Sequence, residues 1–127
     1  MKTILLIEDN DQNRYLEAFL LERRGYRVLQ AENGLSGIER ARSDVPDLIL
    51  LDIQLPVLDG YGVAANLRTI EGIRDIPIIA VTSHAMVGDR EKALAAGCRG
   101  YIEKPIDPDT FVDQVECFLT GRPFATE

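Results

Sequence analysis

Acidic, hydroxyl and amine side chains stand at the ends of four short apolar segments of the chain. In chain order they are Glu8 and Asp9, then Asp52, then Thr82, then Lys104. Clustered carboxylates either push a proton onto one of their number or bind a cation, and a hard divalent ion with oxygen ligands keeps all of them ionised. Mg²⁺ fits better than Zn²⁺ because no Cys or His accompanies the acids. The residue types therefore predict a magnesium site beside an amine and a hydroxyl group.

The elements that must position these residues alternate between short apolar runs and stretches of helical period, which is typical of a parallel α/β sheet. The predicted strands are Thr3–Ile7, Arg27–Gln30, Leu48–Leu51, Ile78–Val81 and Gly100–Glu103. Right-handed crossovers give an open, doubly wound (βα)5 sheet with helices on both faces and the flavodoxin-like strand order 2-1-3-4-5. Ligands bind such sheets at the carboxyl ends where the strand order switches, so Glu8, Asp9 and Asp52 are predicted to meet there.

Five helices are predicted between and after the strands. The first has Asn10 or Asp11 as its N-cap and ends at Gly25. Its predicted buried stripe is Leu16, Phe19 and Leu20. The next three are predicted to begin near Asn33, near Tyr61 and near Met86, the last of these running to Gly97. The fifth is predicted to open with Asp107 as cap and Pro108 in its first turn.

Length and charge limit the possible functions. With 127 residues and a formal net charge of −7, the chain is expected to fold as one domain over residues 1–121 with a short tail, 122–127. The acidic charge disfavours direct contact with nucleic acid or anionic lipid. The first apolar run, Ile4–Ile7, is too short for a signal peptide or a membrane span, so we expect a cytoplasmic protein without membrane insertion.

Plainer structural explanations exist for each residue taken singly. Glu8 and Asp9 could cap the first helix, Thr82 could cap the fourth, and Lys104 could be a solvated surface charge. Their common place at the ends of four different strands favours a joint role. The segment Gly60–Ala65 matches a dinucleotide-binding fingerprint, but a loop separates it from the preceding strand and a packed turn is the favoured interpretation.

Four motifs resemble those of the receiver domain of bacterial two-component response regulators. "LLIEDN" resembles the acidic pair of that family, "LLDIQLPVLDG" its phosphoacceptor loop, "AVTSHA" its switch hydroxyl and "YIEKPI" its lysine and proline. The successive intervals are 43 residues from Asp9 to Asp52, 30 from Asp52 to Thr82 and 22 from Thr82 to Lys104. The resemblance covers about Lys2 to Leu119, and within single-domain members the chain is most similar to the DivK type of cell-cycle regulator.

The resemblance implies a role for each matching residue. Asp52 is implied as the phosphoacceptor, and Glu8, Asp9, Asp52 and the backbone carbonyl of Gln54 as the Mg²⁺ ligands. Lys104 is implied to pair with the phosphoryl group, Thr82 to hydrogen-bond it, and Tyr101 to be an aromatic rotamer switch. The Lys104–Pro105 peptide bond is expected to be cis. His84, two residues beyond Thr82, either tunes access of water to the phosphoryl group or has no role.

The resemblance further implies a switch that is not itself an enzyme. Its expected partners are a sensor histidine kinase or a histidine phosphotransfer protein, and a downstream protein that binds the face made by the fourth helix, fifth strand and fifth helix. Because the tail is short, output by protein contact is favoured. Two alternatives stay open, a phosphatase or mutase of haloacid dehalogenase type, which needs a second Asp where Gln54 stands, and a flavin or dinucleotide carrier.

Overall fold

Five parallel strands form one sheet in the order β2-β1-β3-β4-β5, as predicted. The computed structural model describes residues 2–55, 58–82 and 88–120, without the side chain of Asp89. The strands are β1 (Thr3–Ile7), β2 (Arg27–Ala31), β3 (Leu48–Asp52), β4 (Ile78–Thr82) and β5 (Gly100–Glu103). Every residue of β3 and β4 is buried, as expected for central parallel strands covered on both faces.

Asp52 and Thr82 are the last residues of their strands, whereas the predicted strands ended one residue earlier. The ladder continues because Asp52 pairs with Val81 of β4 and Thr82 pairs with Glu103 of β5. Both side chains are therefore fixed by hydrogen-bonded strand backbone and not by a loop.

The helices are α1 (Asp11–Arg23), α2 (Gly34–Asp44), α3 (Gly60–Leu67), α4 (Asp89–Ala95) and α5 (Phe111–Thr120). Alternate residues of the strands point to opposite faces, so the sheet has two cores. The core between the sheet and α2, α3 and α4 includes Leu5, Ile49 and Val63. The core between the sheet and α1 and α5 includes Ile4, Leu50 and Phe111. Fully burying one such side chain contributes roughly 1.5–3 kcal/mol.

The predicted apolar stripe of α1 is only partly correct. Leu20 is half-buried and packs against the core, and Leu16 is half-buried, but Phe19 keeps 44% of its surface exposed. The fully buried residues of this helix are Glu17, Ala18 and Leu21, and the prediction excluded Glu17 because it is charged. Asn10 is the N-cap, because its side chain accepts the backbone N–H of Asn13.

The start of α5 is also later than predicted. The Asp107 carboxylate accepts the backbone N–H of Asp109, and its carbonyl accepts those of Thr110 and Phe111, so a separate turn precedes the helix. The predicted start of α4 at Met86 lies outside the described residues, and α4 ends at Ala95. No helix in the described ranges is long and apolar enough to cross a membrane.

Candidate functional site

Three carboxylates meet at the carboxyl edge of the sheet, where β1 and β3 are neighbours. Glu8, Asp9 and Asp52 each offer one oxygen, and these oxygens lie within 4.8 Å of one another. Glu8 and Asp52 are buried, with 1% and 3% of their surface exposed, whereas Asp9 is exposed. The fold thus brings together the three acids at the switch in strand order.

Lys104 reaches the same cluster from the end of β5. Its Nζ lies 2.7 Å from Oε1 of Glu8 and 3.4 Å from Oδ2 of Asp52. The peptide bond between Lys104 and Pro105 is cis. Burial lowers the pKa of Lys104, but its bond to Glu8 and the nearby carboxylate charges outweigh burial and raise it. The ammonium therefore remains charged.

Asp52 is held in an unfavourable environment for a negative charge. Burial, and next the charge of Glu8, raise the pKa of Asp52 to about 7. The Lys104 ammonium opposes this shift, as does the backbone N–H of Gln54, which lies 3.1 Å from Oδ1 of Asp52. One ammonium does not balance three carboxylates, so the site retains affinity for a cation.

The acidic pair is held by the beginning of α1. The backbone N–H of Asn10 donates to Oε2 of Glu8 at 3.1 Å, and the Arg14 guanidinium donates to the Glu8 carbonyl at 2.8 Å. Arg14 also donates to Asp11 at 2.6 Å, which fixes the guanidinium. No role was predicted for Arg14, which positions the backbone next to the acids.

Thr82 and Gln54 contact each other beside Asp52. Thr82 is buried, and its Oγ1 accepts a hydrogen bond from Nε2 of Gln54. Tyr101 is half-buried in β5 and packs against the core beneath α2, α3 and α4. The sequence assigned Gln54 a role through its carbonyl only and did not predict its side-chain contact with Thr82. His84 lies outside the described residues.

The glycines of the dinucleotide-like segment have a packing role. A Cβ on Gly60 would lie 2.6 Å from Cα of Ile53 and 2.7 Å from the carbonyl oxygen of Asp52. A Cβ on Gly62 would lie 2.7 Å from a methyl group of Leu58. These contacts are too close for real side chains, so the glycines allow α3 to approach the loop that follows Asp52.

One charged residue near the site was missed by sequence reasoning. Glu17 lies on α1 with 2% of its surface exposed, and Lys104 is among the charges that act on its carboxylate. The only signal in the sequence is a glutamate one residue from the predicted stripe. The position of Glu17 in the sequence does not indicate that Lys104 lies near it.

The donor set fits Mg²⁺. Three carboxylate oxygens in reach of one another are the hard ligands that this ion takes, and binding it would relieve the charge conflict at Asp52. Gln54, the fourth predicted ligand, lies two residues after Asp52, in the loop that follows β3. The described residues of this cluster include no Cys or His that would favour zinc.

Removal of one ligand should weaken the binding of Mg²⁺. We expect wild type to bind Mg²⁺ with a dissociation constant on the order of 1 mM, and Asp9→Asn to bind it at least about tenfold more weakly. Asp9 is exposed, so the substitution should leave the fold intact. Titration followed by amide NMR shifts measures both constants. Glu32→Gln, which removes an exposed acid just after β2, should titrate like wild type. Equal curves for Asp9→Asn and wild type would exclude Asp9 as a ligand.

Comparison with known proteins gives one consistent result. The family model described as "Response regulator receiver domain" matches residues 4–116. The polar-differentiation response regulator DivK of Brucella anthropi is 42% identical over 118 residues, which cover 93% of this chain and 96% of that protein. DivK of Brucella ovis is equally similar, with 42% identity over the same coverage.

Two solved structures with a similar fold are a chemotaxis protein and a receiver domain. Chemotaxis protein CheY4 of Vibrio cholerae superposes with a TM-score of 0.89 at 24% identity, over 93% of this chain and 98% of that one. The receiver domain of sensor histidine kinase PA1611 from Pseudomonas aeruginosa has a TM-score of 0.86 at 37% identity, over 94% and 98% of the two chains. That receiver domain was solved with a magnesium ion coordinated in its active-site cleft.

Proposed function

Because the chain belongs to the response regulator receiver domain family, we propose that its Asp52 accepts a phosphoryl group from a phosphohistidine in a reaction that requires Mg²⁺. The chain is thus a phosphorylation-dependent switch of two-component signalling. The observation that carries the assignment is the buried Asp52 carboxylate, 3.4 Å from the Lys104 ammonium and within 4.8 Å of the oxygens of Glu8 and Asp9.

The residues of this chain divide the chemistry among them. An oxygen of Asp52 bonds to phosphorus while the bond from phosphorus to the histidine nitrogen breaks, and that nitrogen keeps the electron pair and takes up a proton. Lys104 stabilises the negative charge on the phosphoryl oxygens. Glu8 and Asp9 would hold the Mg²⁺ ion beside these phosphoryl oxygens. A bound Mg²⁺ supplies further positive charge at the same oxygens.

Gln54 supports a persistent acyl phosphate over rapid turnover. An aspartyl-phosphate phosphatase or mutase of haloacid dehalogenase type needs a carboxyl two residues after the nucleophile, to act as acid and base. Gln54 stands there, and its amide does not titrate. Its side chain is also engaged with Thr82. The phosphoryl group should therefore remain long enough to act as a signal.

We propose one partner that acts before the phosphoryl transfer to Asp52 and one that acts after it. A sensor histidine kinase or a histidine phosphotransfer protein supplies the phosphoryl group, and we propose that this exchange takes place in the cytoplasm. Output passes through the face made by α4, β5 and α5, where a downstream protein distinguishes the two states. The family supports this face, as does the position of Tyr101 in β5, where it pairs with Ala80, two residues before Thr82 in β4.

Uptake of phosphate from a small donor tests the proposed function. Wild-type protein with acetyl phosphate and Mg²⁺ should gain the mass of one phosphoryl group, and a chelator should prevent the gain. Intact-mass spectrometry measures both. Release of phosphate over many turnovers from a simple phosphate ester would instead support the phosphatase alternative.

The hydroxyl of Thr82 should matter for transmission and not for phosphoryl uptake. We expect Thr82→Ala to accept the phosphoryl group on Asp52 at a rate within about threefold of wild type, because the transfer uses the acids, the ion and Lys104. The phosphorylation-dependent change around Tyr101 should be largely lost, since no hydroxyl can leave Gln54 for a phosphoryl oxygen. Hydrogen exchange of Gly100–Glu103, with and without phosphate, measures this change.

A matched control is Thr69→Ala, which removes an exposed hydroxyl at the end of α3. It should respond to phosphorylation like wild type. If phosphorylated Thr82→Ala shows the full change in β5, the Thr82 hydroxyl has no part in the switch.

A further inference from the structure

Glu17 is a buried acid whose hydrogen bonding is incomplete. It projects from α1 with 2% of its surface exposed, and its Oε1 is buried without a hydrogen-bond donor among residues 2–55, 58–82 and 88–120. A buried acceptor without a donor is unfavourable, and native proteins seldom retain one. A donor that moves within the site could satisfy Oε1 of Glu17.

Lys104 is a cationic candidate for this donor, because its charge acts on the Glu17 carboxylate. Both residues line one cavity of about 430 Å³ between α1 and the segment that follows β5, and the other residues lining it are Asn13, Leu16, Pro105 and Ile106. The two charges interact with each other. Burial, and next the charge of Glu8, raise the pKa of Glu17 to about 8, while the Lys104 ammonium opposes the shift. The charge of Glu17 in turn helps to raise the pKa of Lys104.

The Glu8 carboxylate both accepts the Lys104 ammonium and belongs to the candidate ion site. Oε1 of Glu8 accepts the Lys104 ammonium at 2.7 Å, and Oε2 of Glu8 accepts the N–H of Asn10. A divalent ion needs one of these oxygens as a ligand, so its binding must weaken the bond between Glu8 and Lys104. The largely buried ammonium then keeps only the longer contact of 3.4 Å to Asp52, so a second acceptor would stabilise it.

We propose that Glu17 is a positioning residue for Lys104, which accepts the ammonium when Glu8 is released to coordinate the divalent ion. This inference rests on the proposed function, because it uses the same ion site. Glu17 thereby lowers the free-energy cost of freeing Glu8 and keeps Lys104 ordered at the edge of the site. The Glu17 oxygen that lacks a donor in the structure then accepts a hydrogen bond from the Lys104 ammonium.

The test is a double-mutant cycle on the affinity for Mg²⁺ alone. Glu17→Gln, which keeps the size of the side chain, should weaken binding of Mg²⁺ about three- to tenfold in the otherwise unchanged chain. In a Lys104→Met background the same substitution should have no effect, because no ammonium needs a second acceptor. Equal weakening in both backgrounds would show only the loss of a distant negative charge and would overturn the proposal. No weakening in either background would overturn it as well.

Stability of the ion-free protein gives a second readout. Glu17→Gln should unfold at the same or a higher temperature than wild type, since it removes a poorly bonded buried acid. A lower unfolding temperature would mean that the carboxylate is already well bonded without the ion, which contradicts the proposal. Failure of wild type itself to bind Mg²⁺ or to phosphorylate Asp52 would instead refute the proposed function.

Discussion

Asp52→Asn should abolish phosphoryl uptake and, at the same time, stabilise the ion-free protein. Uptake is lost because the amide has no nucleophilic carboxylate oxygen. The gain in stability follows from the burial of the Asp52 carboxylate and, next, from its repulsion by the charge of Glu8. We expect the free energy of unfolding to rise by about 2 kcal/mol at pH 8.

The sign of this effect depends on pH. The pKa of Asp52 is raised to about 7 in the folded protein, against about 4 in an unfolded chain. The folded state therefore binds the proton more tightly, and ionisation of Asp52 costs stability progressively between about pH 4 and pH 7. Above pH 7 the cost is complete, and below pH 4 it is absent. Urea unfolding of the ion-free protein should thus show the advantage of Asp52→Asn at pH 8 and little of it at pH 4.5.

Asp75→Asn is the matched control, since it changes an exposed aspartate in the segment before β4. It should take up phosphate normally, and its free energy of unfolding should stay within about 0.5 kcal/mol of wild type at both pH values. An Asp52→Asn protein that is less stable than wild type at pH 8 would contradict the charge conflict that we assign to the site.

Lys104→Met should have opposite effects on ion binding and on phosphoryl transfer. The ammonium competes with a cation for Glu8 and Asp52, so its removal should tighten binding of Mg²⁺ severalfold. Phosphoryl uptake should nevertheless slow about 100-fold, because one charged donor to the transferring oxygens is lost.

The same variant should depend on the ion for its stability. Without Mg²⁺, two buried carboxylates lose their cationic partner, and we expect the free energy of unfolding to fall by about 3 kcal/mol at pH 8. Saturating Mg²⁺ should restore most of this loss. Thermal unfolding with and without the ion measures it. The control is Lys92→Met, since Lys92 lies on α4 over the ring of Tyr61. This variant should take up the phosphoryl group normally.

Most of the fold could be predicted because its signals are local. Short apolar runs such as Leu48–Leu51 predict buried strands, and polar residues just after them predict the edge that holds the site. The predicted strands differ from the observed ones by at most one residue. Asp52 and Asp9 could be brought together from strand order alone, since the order determines which strand ends are neighbours.

What could not be predicted depends on contacts between distant parts of the chain. Burial of Glu17 in α1 contradicts its charge, and only the arrival of Lys104 from β5 gives that charge a neighbour. The hydrogen bond from Gln54 to Thr82 likewise joins a side chain of the loop after β3 to one at the end of β4, with no pattern in either segment. The start of α5 was misplaced because Pro108 suits a helical first turn and an isolated turn equally well.

The most direct test of the central claim is to locate the phosphoryl group at a single residue. Wild-type protein labelled with acetyl phosphate and Mg²⁺ would be reduced with borodeuteride, which converts an aspartyl phosphate to deuterated homoserine, and then digested for peptide mass spectrometry. We predict one deuterated site, at position 52, and none when Mg²⁺ is withheld. Deuterium at Glu8, at Asp9 or at any other acid, with position 52 unmodified, would contradict the assignment of Asp52 as the phosphoacceptor.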